Sequence, residues 1–114
     1  MQVKGITFVG TRTPSRAAMS AFALDVLGLQ PTTLAGLDAD VFALPDGSSF
    51  AVTQPWELDP AERTVGFLVD DVAAAAAELT AAGILIDEVA TAGNQRYVHF
   101  RAPDGQLYEL VENV

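Results

Sequence analysis

A faint internal repeat constrains this chain more than any single motif, because a sequence that builds one supersecondary unit twice has few ways to pack the copies. Near the end of each half a Pro-Asp-Gly turn runs into a short strand, first as Pro45-Asp46-Gly47-Ser48-Ser49-Phe50-Ala51-Val52 and again as Pro103-Asp104-Gly105-Gln106-Leu107-Tyr108-Glu109-Leu110. Phe50 aligns with Tyr108, and Val52 with Leu110. Upstream, each half carries a helix that stops at glycine, in Val26-Leu27-Gly28 and in Ala81-Ala82-Gly83. A glycine there suits the left-handed residue that closes a helix.

The elements around the repeat follow from local pattern. Thr13 as N-cap and Pro14 at the first helical position predict a helix whose inward face is Ala18, Phe22 and Val26, at fourfold spacing. In the second half Asp71 is the expected N-cap, with Val72, Ala75, Leu79 and Ala82 on the buried face. Stretches 3–11 and 64–70 read as the strands that precede these helices. Stretches 41–44 and 50–53 flank the first Asp-Gly turn, while 97–101 and 107–111 flank the second. Further strands are expected at 34–37 and 85–89. Each half thus reads strand, helix, then two or three strands, an α+β arrangement. The predicted organisation is one domain over 1–114, with module one at 1–54, a linker at 55–62 and module two at 63–114.

Composition excludes several roles. With 114 residues, half of them hydrophobic, the chain is long enough to bury one core. Fifteen carboxylates against six Lys and Arg give a net charge of -9, which repels nucleic acid phosphates and anionic membranes, so neither is an expected partner. No apolar run reaches the length of a membrane span, and residues 1–10 lack a basic head followed by a long apolar block, so a cytoplasmic protein is expected. The absence of cysteine removes disulfides, thiolate metal sites and thiol nucleophiles. No glycine-rich phosphate loop, serine-nucleophile elbow or zinc-protease motif is present.

The order of elements resembles the vicinal oxygen chelate superfamily, which groups glyoxalases, bleomycin resistance proteins and extradiol dioxygenases. Leu27-Gly28-Leu29 after the first helix, Phe67-Leu68-Val69-Asp70-Asp71-Val72 opening the second module and Ala102-Pro103-Asp104-Gly105-Gln106-Leu107-Tyr108-Glu109-Leu110 near the end carry the resemblance over nearly the whole chain. It implies two βαβββ modules forming a curled mixed sheet around a cleft, often completed by a dimer partner. It also implies four metal-binding positions, one on the first and one on the last strand of each module. In this sequence those positions fall on Phe8, Ala51, Thr64 and Glu109. Only Glu109 is a ligand type, so neither metal nor other cofactor is expected.

Strand alternation then proposes the cleft. Phe8, Gly10 and Arg12 share one side of their strand, as do Tyr97, His99 and Arg101, and Leu107, Glu109 and Val111. Val9, Thr11, Phe100, Tyr108 and Leu110 are expected to face the helices or the core. His99 reads either as an acid or base near neutral pH or as a hydrogen-bonded strand residue. Glu109 reads either as a ligand contact or as an ion-paired carboxylate, with Arg12 or Arg101 as the partner. Trp56 is either a stacking lid or a plug where the modules join. The ligand-binding set is therefore Phe8, Arg12, Ala51, Trp56, Thr64, His99, Arg101 and Glu109. The resemblance implies a metal-free binder of small molecules, cationic and aromatic in the manner of bleomycin resistance proteins, working as a homodimer. An enzyme of the glyoxalase or dioxygenase type, a lyase, isomerase or dioxygenase with an atypical site using His99 and Glu109, is the competing expectation.

Overall fold

The computed structural model describes residues 1–55 and 62–114. In chain order the elements are β1 (Gly5–Arg12), α1 (Arg16–Ala21) running on into a π-helical turn (Phe22–Val26), β2 (Gln30–Thr32), β3 (Asp40–Ala43), β4 (Ser49–Thr53), β5 (Arg63–Leu68), α2 (Val72–Ala81), β6 (Ala90–Ala92), β7 (Gln95–Arg101) and β8 (Leu107–Asn113). The repeat is real in three dimensions. Asp46 accepts the Ser48 N–H at 2.9 Å and Asp104 accepts the Gln106 N–H at 3.0 Å, so the two Asp-Gly turns close by the same side-chain bond.

All strands join one curled mixed sheet in the order β2-β3-β4-β1-β5-β8-β7-β6. Within each half the first strand pairs parallel with the last, β1 with β4 and β5 with β8, while the other neighbours within each half are antiparallel. The halves meet along the antiparallel β1–β5 seam. One helix per half covers the outer face. Under α2, Val72, Ala75 and Ala76 pack with Val69, Val98 and Leu110, flanked by Phe67, Leu79, Ile86 and Phe100. Under α1, Ala23 packs with Phe42 and Val52, flanked by Met19, Leu29 and Phe50. Phe50 and Val52 thus do in one half what Tyr108 and Leu110 do in the other, Tyr108 stacking on Phe67 and Phe100. Among the described residues no helix is long and apolar enough to cross a membrane.

Several local expectations are corrected. Asp71 does cap α2, accepting the Ala74 N–H at 3.0 Å, but Ala82 is exposed and Ala76 takes a place on the buried face. The first helix starts at Arg16 with Ser15 as its cap, because the Thr13 hydroxyl accepts the Ser15 N–H at 3.1 Å and so closes a local turn instead of capping. Ala18, Phe22 and Val26 face outward, and Met19 and Ala23, which share the same fourfold spacing, face the sheet. Spacing alone does not say which stripe is buried. Gly28 and Gly83 have φ of +68° and +82°, as the helix-end reading requires.

The outermost strands lie elsewhere than the apolar runs suggest. Instead of 34–37 the first module uses Gln30–Thr32, and instead of 85–89 the second uses Ala90–Ala92. The turn explains the second case: Gly93 at φ +57° brings Ala92 opposite Gln95, so the strand must abut that turn. Ile86 makes only an isolated bridge to Phe100, and Leu85 is 83% exposed.

Candidate functional site

The concave face is built by the seam and the strands beside it. Gly10 is in register with Ala51 across β1–β4 and with Thr64 across β1–β5, while Gly66 is in register with Glu109 across β5–β8. The space over the two glycines is taken by Phe8. A Cβ added to Gly10 would stand 2.9 Å from Phe8 Cζ and 3.9 Å from Thr64 Cβ. One added to Gly66 would stand 2.9 Å from Phe8 Cβ and 3.0 Å from Glu109 Cγ. Phe8, Thr64 and Glu109, distant in sequence, therefore meet over the two glycines, with Ala51 in register beside Gly10. Ala51, Thr64 and Glu109 are buried.

The single carboxylate among these is held from the neighbouring strand. The β7–β8 register sets His99 opposite Glu109, and His99 Nε2 lies 2.9 Å from Glu109 Oε2. Burial makes that contact strong, since a carboxylate removed from water needs a donor or a counter-charge. Tyr97 packs edge-on against His99, with ring centroids 5.4 Å apart. Burial, and then the charge on Glu109, pushes the Tyr97 phenol above its ordinary 10.0, so it stays a neutral hydroxyl.

Divalent ions need several nitrogen or oxygen donors. The four positions offer one carboxylate, an aromatic ring, a methyl group and a threonine hydroxyl. His99 adds a second donor already engaged with the first. Among the described residues no three His, Cys, Asp or Glu side chains cluster as a metal would need. This donor set does not fit the divalent metal that the resemblance implies.

The remaining expected residues lie at the end of the same face. Arg12 and Arg101 converge on Glu62, with Arg101 Nη1 at 2.6 Å from Oε1 and Arg12 Nη1 at 3.9 Å from Oε2. The Leu107 N–H donates to the same Oε1 at 2.9 Å. A cavity of about 280 Å³ opens beside them, lined by Arg12, His99, Arg101 and Leu107 on the sheet and by Leu85, Ile86 and Asp87 on the chain that follows α2. Trp56 lies outside the described residues. Sequence reading missed Glu62, assigned to a linker, and Gly66. The signal for Glu62 was an acidic residue just before β5, at the sheet end where two strand arginines finish.

Neither a protein-family model nor a curated protein sequence matches the chain. Solved structures do. The methylmalonyl-CoA epimerase of Mycobacterium tuberculosis superposes with a TM-score of 0.76 over 98% of this chain and 89% of its own, at 18% identity. A variant of the Streptomyces coelicolor methylmalonyl-CoA epimerase, in complex with 2-nitronate-propionyl-CoA, gives 0.74 over 99% of both chains at 18% identity. A halotolerant catechol dioxygenase gives 0.72 at 23% identity over 98% of this chain, but over 40% of its own length. Strand order, the paired helices and these superpositions agree: the chain has the two-module βαβββ fold of the vicinal oxygen chelate superfamily.

Proposed function

We propose that this protein binds a small aromatic molecule in its concave face without a divalent metal, in the manner of bleomycin resistance proteins, as a cytoplasmic homodimer. The observation that carries the reading is the Phe8 side chain, whose Cβ stands over Gly66 and whose ring stands over Gly10, beside Thr64 and Glu109. An apolar floor stands where a metal-binding member of the fold needs donors, and it favours a flat hydrocarbon surface. Glu109, 7% exposed, is the charged contact, and a ligand cation joins or replaces His99 as its partner. With tryptamine and neutral indole as paired probes, Glu109→Gln weakens tryptamine binding by about 2–3 kcal/mol and leaves indole little changed. Calorimetric titrations with and without a chelator, together with elemental analysis of the purified protein, test both halves of the reading. Equimolar zinc, nickel, iron or manganese retained after dialysis rejects the metal-free half. Equal losses for both probes, or a screen that finds only anionic ligands, rejects the Glu109 contact and moves the site to Arg12 and Arg101.

A second reading has one observation in its favour. The 2.9 Å contact between His99 and buried Glu109 fixes an imidazole by a carboxylate, as in sites that position a general base, and it is compatible with an atypical lyase, isomerase or dioxygenase on this fold. Turnover of a bound compound that His99→Asn abolishes, with binding retained, establishes it.

A further inference from the structure

We propose that the end of the concave face carries a carboxylate-binding cradle, made of the Arg12 and Arg101 guanidinium groups and the Leu107 amide, in which Glu62 sits as a resident carboxylate that a small organic acid can replace. The cradle has the parts by which proteins recognise a free carboxylate: a guanidinium and a main-chain N–H bonded to one anionic oxygen, with a second guanidinium 3.9 Å from the other. Arg101 Nη1 and the Leu107 N–H meet on Glu62 Oε1, at 2.6 and 2.9 Å, with Arg12 on the side of Oε2. The Glu62 side chain is only 10% exposed, so the carboxylate itself is shielded, while Arg101 reaches it from the solvent side at 47% exposure. Both arginines are engaged, and exchanging one carboxylate for another preserves the charge balance and the hydrogen bonds from Arg101 and the Leu107 amide.

The second observation is the adjoining space. Arg12, Arg101 and Leu107 also line the cavity of about 280 Å³, whose other walls include Leu85 and Ile86. An acid whose carboxylate takes the place of the Glu62 group therefore has an apolar wall for its body. The chemical class is a monocarboxylate with an aromatic or branched aliphatic body. Glu62 competes from within the same chain at high effective concentration, which keeps such acids weak until the side chain is displaced.

Chemical rescue tests this. Glu62→Ala lowers the melting temperature, and acetate restores most of the loss whereas isosteric, uncharged acetamide does not. Benzoate binds the variant at least about tenfold more tightly than the wild type, and adding Arg101→Gln removes that gain. If Glu62→Ala does not fold unaided, folding on addition of acetate but not acetamide supports the cradle, and failure with both overturns it. Equal effects of acetate and acetamide, or benzoate binding that does not tighten, overturn it as well. Glu109→Gln leaves the benzoate gain in place, so failure here is separate from failure of the tryptamine site.

Discussion

Gly66 and Gly10 both make room for Phe8, yet filling them has different costs. At Gly66 a methyl group meets Phe8 Cβ at 2.9 Å and Glu109 Cγ at 3.0 Å, atoms fixed close to their own backbones. At Gly10 it meets Phe8 Cζ, the far end of a ring that can swing aside. Gly66→Ala is therefore expected to cost about 1–3 kcal/mol as overpacking, and Gly10→Ala distinctly less. Urea denaturation measures both, and a Gly10→Ala loss as large as that of Gly66→Ala contradicts the placement of the ring. A glycine inside a strand signals a close approach, but only the register reveals what approaches. The sequence led to Phe8 through the family positions, and it held no indication that its side chain covers both glycines.

The first helix is tied to the sheet by charge as well as by packing. Arg16 donates to both Asp40 oxygens from Nε and Nη2, and the Ser20 hydroxyl donates to Asp40 Oδ2 at 2.6 Å, which joins α1 to β3. The Arg16 hydrogen bonds first, and then that of Ser20, hold the Asp40 carboxyl below its ordinary 3.8. A carboxylate with a depressed folded pKa stabilises the fold above its unfolded pKa and loses that contribution as pH falls through the folded value. Asp40→Asn should thus lie below the wild type in melting temperature at neutral pH, the gap closing as pH drops from near 3.8 downward. The effect is small because Asp40 is 41% exposed. A gap that widens in acid contradicts the assignment. Pattern revealed α2 readily because Asp71 and an alanine-rich run agree. It misjudged α1, where two stripes share one spacing and a π-helical turn follows.

At the scale of the molecule, the curled sheet leaves apolar side chains on the outside of module one. Phe22, Leu24, Val26 and Leu27 are all exposed around the π-helical turn, with Val26 at 69%. Covering such a surface with a second copy is the expected outcome, and light scattering on a sizing column should give twice the chain mass. A monomer at micromolar concentration rejects it. The two-module fold was legible because the turn repeat gives each half the same succession of elements and the superfamily resemblance implies how they curl into one sheet. Phe8, Ala51, Thr64 and Glu109 were singled out by the positions that the superfamily resemblance implies, not by alternation. The cradle was not legible, since it depends on where a connecting segment returns to the sheet.

The strand order has one more consequence. The long strands are interior, and each rim is a strand of only three residues, β2 on one side and β6 on the other. A sheet with exposed rims is a template on which further chains can stack into fibrils, and shortness limits how many bonds each added chain can form. Pro31, in the middle of β2, subtracts another donor from that rim. The architecture that opens a concave face to ligands thus also guards its own borders against uncontrolled growth.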